Sequence, residues 1–359
     1  MTAPEHKPPS APLAPASGRR TRRVLEVIDM HTAGEPVRIV TGGYPRLGGA
    51  SILDKRRDAA ERHDVLRTIL MHEPRGHAGM YGVIPVEPSL PGADLACLFT
   101  HASGYSTMCG HATIAIGRWA VESGRVAHDG EAARFGLELP CGLVRVEARL
   151  DNGCVMETAF ESVPAYIEAR DVELDVEGHG CVRCDVAFGG AYYAILPASR
   201  LGVAFDQGLH ALIEVGAKVF AAAQRRLSPK HPVDADLSFL YGVILTDDVA
   251  PSSPEPSRNL CLFGGGQIDR SPTGSGVTAR MTLDVLGGAL QLGSTRRFLG
   301  PTGDGFAGTA VGREDFHGHP AVRVRVAGRS FYSGTARFIV EADDPLGEGF
   351  LLLASESDS

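Results

Sequence analysis

The segment CLFTHASGYSTMCGHATIAIGRWAVESG, residues 97–124, has a counterpart in CLFGGGQIDRSPTGSGVTARMTLDVLGG, residues 261–288. An offset of 164 positions puts Cys97-Leu98-Phe99 on Cys261-Leu262-Phe263, Gly110 on Gly274, Ala115 on Ala279, Val121 on Val285 and Gly124 on Gly288. These are seven identities in 28 positions, where ordinary residue frequencies give about two. The local grammar also repeats: apolar strand, polar loop, turn of small residues, helix, glycine stop. This points to an internal duplication and two similar halves, an arrangement that often builds a binding site between them.

Around the repeat, strands joined by short Gly and Asn-Gly turns mix with a few helices. Strands are expected at 24–34, 94–100, within 133–160, at 182–196 and at 237–246. Helices are expected at 57–72, 113–123 and 209–224. The fold class is therefore α+β rather than a doubly wound parallel sheet. The first half is expected to span 23–165 and to regain 335–359, because Ala336-Arg337-Phe338-Ile339-Val340 alternates like a returning strand. The second half is expected to span 166–334. Residues 1–22, rich in Pro, Ala and Arg without apolar periodicity, read as a disordered tail.

Composition excludes several classes. The 359-residue chain carries a net charge of −8, one Trp and 6% aromatic residues, which argues against a nucleic-acid surface. No apolar run reaches the ~18–20 residues of a membrane span, and no secretory signal is apparent, so a cytoplasmic location without membrane association is expected. The seven cysteines are odd in number and read as free thiols.

The two repeated turns, Met108-Cys109-Gly110-His111-Ala112 and Pro272-Thr273-Gly274-Ser275-Gly276, each precede a helix. Helix N-termini offer unpaired N–H groups and a positive dipole end, so two of them facing one cleft suit a carboxylate. Simple capping would explain Thr273 or Ser275 alone, but the pairing favours a site. Cys109 at such a position is expected to have a lowered pKa and to serve as a base or nucleophile. His111 is placed to modulate the thiol or bind a ligand, and Asp269 to face an ammonium group or to pair with Arg270. Other motifs carry less. His72-Glu73-Pro74-Arg75-Gly76-His77 has the wrong spacing for a zinc protease helix. Cys181-Val182-Arg183-Cys184 lacks the further ligands of a structural zinc site. Gly274-Ser275-Gly276-Val277-Thr278-Ala279 fits a dinucleotide fingerprint only in its local pattern.

Met108-Cys109-Gly110-His111, Asp269-Arg270-Ser271-Pro272-Thr273-Gly274, Asp29-Met30-His31-Thr32-Ala33-Gly34-Glu35-Pro36 and Glu73-Pro74-Arg75-Gly76-His77 together resemble the proline racemase family. The resemblance implies a diaminopimelate epimerase-like fold: two α/β halves, each a curved sheet around a central helix, with the active site between them. It also implies chemistry without cofactor or metal, and raises a homodimer. Family racemases place a cysteine on each face of the substrate α-carbon. This chain has Cys109 at the first position and Thr273 at the second, a departure that resembles the trans-3-hydroxy-L-proline dehydratase branch. Gly110, His111, Asp269, Gly274 and Ser275 are then implied as substrate contacts.

A threonine hydroxyl is a very poor acid or base near neutral pH, so two-base racemisation should fail, whereas β-elimination needs one base and a leaving group. Cys109 is expected to take the α-proton and return it to the departing hydroxyl, yielding Δ1-pyrroline-2-carboxylate. The alternatives are a proline or 4-hydroxyproline epimerase, and a non-catalytic protein that binds an imino acid.

Overall fold

A computed structural model describes residues 23–264 and 266–352; the expected tail, 1–22, lies outside the described residues. The chain opens with the hairpin β1 (Arg23–Thr32) and β2 (Glu35–Gly42), then α1 (Ile52–Arg62) and α2 (Asp64–Met71). Next come β3 (Tyr81–Val86), β4 (Leu95–His101), β5 (Gly104–Ser106), α3 (Gly110–Glu122), β6 (Ala132–Leu139), β7 (Gly142–Asp151) and β8 (Cys154–Glu161). The series continues with β9 (Ala165–Val176), β10 (Gly180–Phe188), β11 (Tyr192–Pro197), α4 (Leu209–Arg226), β12 (Leu240–Thr246), β13 (Ser257–Phe263), β14 (Gln267–Asp269) and α5 (Gly274–Leu286). It closes with β15 (Thr295–Leu299), β16 (Gly305–Phe316), β17 (His319–Gly328) and β18 (Ser330–Val340).

The strand pairings run through the same order twice. β18 pairs with β1, β1 with β2, β2 with β3 in parallel, β3 with β4, β4 with β6 in parallel, β6 with β7 and β7 with β8. β9 pairs with β10, β10 with β11, β11 with β12 in parallel, β12 with β13, β13 with β15 in parallel, β15 with β16 and β16 with β17. The short strands β5 and β14 fold back on β4 and β13. β17 also pairs with β8, so that the eighteen described strands form one mixed sheet. The helices of the repeat, Gly110–Glu122 and Gly274–Leu286, stand at the 164-residue offset at both ends.

Both repeat helices are buried nearly all round, which marks them as core elements rather than surface helices. Small residues suit them to that position, and several of their buried threonine hydroxyls are satisfied within the helix. Thr113 donates to the Cys109 carbonyl at 2.7 Å, Thr278 to that of Gly274 at 3.1 Å and Thr282 to that of Thr278 at 2.9 Å. Trp119 of α3 is fully buried, a side chain whose truncation costs about 3–5 kcal/mol. Arg280 of α5 is buried too, and donates to Ser257 Oγ and Asn259 Oδ1, both at 2.8 Å. An unpaired guanidinium could not be accommodated there.

Several boundaries differ from the sequence reading: the strand expected over 182–196 is two, β10 and β11, and α3 starts at Gly110 rather than at 113. The helix expected over 57–72 is two helices, because His63, at φ −130° and ψ 12°, leaves the helical conformation and caps both. The first starts earlier, at the capping box of Ser51 and Asp54. The returning strand pairs with β1 from Ser330, not from Thr335. A bulge hides its first part: Gly334 faces Asp29 and Tyr332 faces Met30, so Ser333 is the extra residue that breaks the alternation. Among the described residues no helix is long and apolar enough to cross a membrane.

Candidate active site

The two helix N-termini meet. A Cβ built on Gly110 would lie 2.4 Å from the Gly274 Cα, and one on Gly274 would lie 2.6 Å from the Gly110 Cα. Only glycine permits that approach, so the positive ends of α3 and α5 converge on one point. Beside them lies a narrow cavity of about 10 Å³, about the room that one water molecule needs. Cys109, Gly110, His111, Asp269, Thr273 and Ser275 line it, and Gly274 lies against Gly110 beside it. Met108, Tyr81, Tyr193, Tyr241 and Phe263 complete the lining, and sequence reasoning missed them.

The two helix caps differ in conformation and bonding. Cys109 is extended, at φ −145°, and its sulfur accepts from the Ala112 N–H at 3.4 Å. The Nδ1 atom of His111 stands 3.0 Å from that sulfur, and the His111 carbonyl accepts from Thr32 Oγ1 at 2.9 Å. Thr273 sits at φ +62°, an outlier for a β-branched residue that costs on the order of 1–3 kcal/mol. Its surroundings hold it there: its N–H donates to Ser271 Oγ at 3.1 Å, and its hydroxyl donates to Asp269 Oδ2 at 2.9 Å. Thr273 makes no capping hydrogen bond. Ser275 is bonded to the Tyr193 hydroxyl at 2.7 Å. Simple capping therefore accounts for neither residue.

Asp269 does not pair with Arg270. It accepts from Thr273 and from the Ser271 N–H, and its Oδ2 lies 3.9 Å from His111 Nδ1. Arg270 turns to Glu35, which accepts from its backbone N–H at 2.7 Å and its Nη1 at 3.1 Å. Burial and the Asp269 charge raise the Glu35 carboxyl well above its ordinary range. The motif around residues 29–36 thereby ties the β1–β2 turn to both repeat helices, through Thr32 to α3 and through Glu35 to the start of α5.

The expected lowering of the Cys109 pKa is overturned. Burial pushes the thiol well above its ordinary value, and the charges of Asp269 and Glu35 add to that, against hydrogen bonds from the Ala112 N–H and the Tyr81 hydroxyl. The helix terminus is present, but burial and the neighbouring carboxylates outweigh it. Burial likewise keeps His111 neutral and lifts Tyr81, Tyr193 and Tyr241 well above their ordinary values, so all three remain phenols. The site thus joins carboxylates that suit a cation, paired N–H termini that suit an anion, and one thiol between them. A small zwitterion matches that set.

Comparison with known proteins establishes the family. The proline racemase family matches residues 27–351. The chain belongs to the proline racemase family. Its relatives include a protein of Saccoglossus kowalevskii named trans-L-3-hydroxyproline dehydratase, 44% identical over 90% of this chain and 100% of its own. The human trans-3-hydroxy-L-proline dehydratase is 45% identical over 92% of this chain and 95% of its own. A trans-3-hydroxy-L-proline dehydratase of Colwellia psychrerythraea is 40% identical over 91% and 92%. Among solved structures, a hydroxyproline epimerase from Agrobacterium vitis with bound trans-4-hydroxy-L-proline superposes with a TM-score of 0.89 at 25% identity, covering 95% of this chain and 100% of that one.

The remaining motifs fall elsewhere in this family fold. His72 Nε2 lies 2.8 Å from the Ala102 carbonyl. Cys181 is exposed whereas Cys184 is buried. Among the described residues no three His, Cys, Asp or Glu side chains gather as a metal would require.

Proposed function

We propose that the protein dehydrates trans-3-hydroxy-L-proline to Δ1-pyrroline-2-carboxylate without a cofactor, with Cys109 as the base. The observation that carries this reading is the asymmetry of the two helix caps. A thiol stands at one, while at the other the only hydroxyl proton of Thr273 is directed to Asp269. One face can exchange a proton with carbon and the other cannot, which suits elimination rather than inversion. The relatives named as dehydratases support the same choice.

The substrate carboxylate sits at the joined N-termini of α3 and α5, where backbone N–H groups stabilise the charge that develops as the α-carbon loses its proton. The ring ammonium faces Asp269. A cation there offsets the carboxylate charges that hold Cys109 as a thiol, so substrate binding favours the thiolate that the reaction needs. In this substrate the carboxylate and hydroxyl lie on opposite ring faces, which puts the α-hydrogen and the 3-hydroxyl on the same face. Cys109 takes the α-hydrogen there, hydroxide leaves as water on the same side, and the enamine tautomerises to the cyclic imine. Ser275, fixed by Tyr193, and Thr273, fixed by Asp269, hold the opposite side of the ring.

The finer architecture belongs to the same reading: two halves, 23–165 with the returning C-terminal strand and the intervening segment from about 166, each a curved sheet around α3 or α5, with substrate between them. Incubation with each hydroxyproline isomer and o-aminobenzaldehyde tests the function. Colour from the trans-3-L isomer is expected. Loss of chirality from proline or 4-hydroxyproline without imine would replace dehydration by epimerisation.

A further inference from the structure

Elimination needs a proton that converts departing hydroxide into water, a role expected above of Cys109, and a second group that the sequence did not single out stands beside that base. Tyr81, the first residue of β3, is fully buried and lines the cavity with Cys109 and His111. Its ring packs edge-on against the His111 imidazole, with centroids 4.8 Å apart. Its hydroxyl lies 2.5 Å from Ser106 Oγ at the end of β5. Strand pairing fixes both partners, because Tyr81 is opposite His101 on β4 and Ser106 is opposite Phe99 on the same strand. The other two site phenols are otherwise engaged. Tyr193 is bonded to Ser275 at 2.7 Å, and the Tyr241 hydroxyl lies against the Tyr81 hydroxyl.

Resting on the dehydratase reading, we propose that the Tyr81 phenol is the acid that protonates the departing 3-hydroxyl. When the Cys109 sulfur faces the α-hydrogen, the 3-oxygen on the adjacent carbon and the same ring face must lie beside that sulfur, and the Tyr81 hydroxyl borders that space. Either hydroxyl of the Tyr81–Ser106 pair can donate; with Ser106 donating, the phenol proton is free for the Cys109 side of the cavity, and Ser106 stabilises the phenolate as it forms. The phenol's high pKa from burial keeps it protonated in the resting site.

The step balances. The thiolate takes the α-hydrogen as a proton, the C–H electron pair becomes the new C=C bond, and the C3–O bond breaks with its pair on oxygen. The phenol proton completes a water molecule. The Cys109 thiol then returns its proton to the phenolate beside it, restoring thiolate and phenol. Cys109 thus recharges the acid, and Tyr81 makes the direct transfer to the leaving group.

The test uses the full chain with Tyr81→Phe, which removes only the hydroxyl. Imine formation from trans-3-hydroxy-L-proline should fall on the order of 10²–10⁴-fold, the usual contribution of general acid catalysis. Chloride leaves without a proton, so with trans-3-chloro-L-proline the same variant should stay within about threefold of wild type, because the step that needs an acid is gone. With α-deuterated hydroxy substrate, the isotope effect on kcat should shrink in the variant as C–O cleavage becomes limiting. Ser106→Ala, a gentler change, should move both readouts the same way by a smaller factor. Equal losses on both substrates with an undiminished isotope effect would make Tyr81 a positioning residue for the thiolate and overturn the proposal. An unchanged rate on the hydroxy substrate would overturn it too. Failure of the wild type to form imine would instead refute the dehydratase reading, so the two failures are distinguishable.

Discussion

Gly110→Ala tests whether the contact between the two helix ends sets the geometry of the site. The added Cβ would lie 2.4 Å from Gly274 Cα, 3.0 Å from its carbonyl carbon and 3.1 Å from its nitrogen. Carbon atoms in van der Waals contact stand about 3.5–4.0 Å apart, so the helix ends must part by about 1 Å. Every clashing atom is backbone, so no side chain can rotate away. Overpacking of this kind costs about 1–3 kcal/mol, and a displacement of about 1 Å between reacting groups costs about 10²-fold in rate. The assay is imine formation from trans-3-hydroxy-L-proline beside a urea unfolding curve. Gly312→Ala serves as control, because Gly312 lies on β16 and a Cβ there would meet nothing within 4 Å. A Gly110→Ala enzyme within about threefold of wild type, with an unshifted unfolding midpoint, would show that the helix ends do not set the geometry.

Cys109→Ser should lower turnover by at least 10²–10⁴-fold while sparing the fold, and pyrrole-2-carboxylate, a planar analogue, should protect Cys109 from alkylation, as read by peptide mapping. Thr273→Cys places a thiol at the second cap and should raise inversion of L-proline or trans-4-hydroxy-L-proline on the order of 10²-fold over wild type, measured by α-deuterium uptake and D-isomer formation in heavy water; efficient inversion by the wild type would undo the account of Thr273. Glu35→Gln removes a charge that raises the Cys109 pKa, so the pH profile of iodoacetamide alkylation should move to lower pH. Because the folded-state pKa of Glu35 is raised, its ionisation weakens the native state as pH climbs above the ordinary value of 4.5. Thermal midpoints should therefore fall less steeply with pH in the Gln variant.

The core of the fold was legible because the duplication preserved spacing where packing is tightest. The repeat helices, both thirteen residues long, carry a glycine at the start that the opposing helix end demands. The six site residues read from the two turns lie together because each turn carries its own local signal: a reactive side chain, a glycine and a helix start. The tyrosines were not legible. Tyr81, Tyr193 and Tyr241 come from three separate strands, and nothing near them in sequence distinguishes a cavity wall from an ordinary strand interior. The protonation of Cys109 was misread for a related reason. A helix N-terminus can be seen in sequence, whereas the burial and the neighbouring charges of Asp269 and Glu35 exist only once distant segments have met. The positive φ of Thr273 was likewise invisible, since it depends on Ser271 and Asp269 holding a conformation that threonine does not favour on its own.

The pairing of β18 with β1 has a consequence for how the protein comes into being. Among the described strands a ribosome delivers β1 first and β18 last, so β1 spends almost the whole of synthesis without that neighbour. The strands β9 to β17 emerge consecutively and find most of their partners among themselves. Nascent chains generally fold from the N-terminus, yet here the later segment can mature first, and it offers β17 as the edge on which β8 docks. Residues 23–42 therefore wait with an open edge, exposed to misassociation and to holding chaperones. Termination between the end of β17 at Gly328 and residue 330 should leave a chain whose second set of strands is structured and whose first never closes.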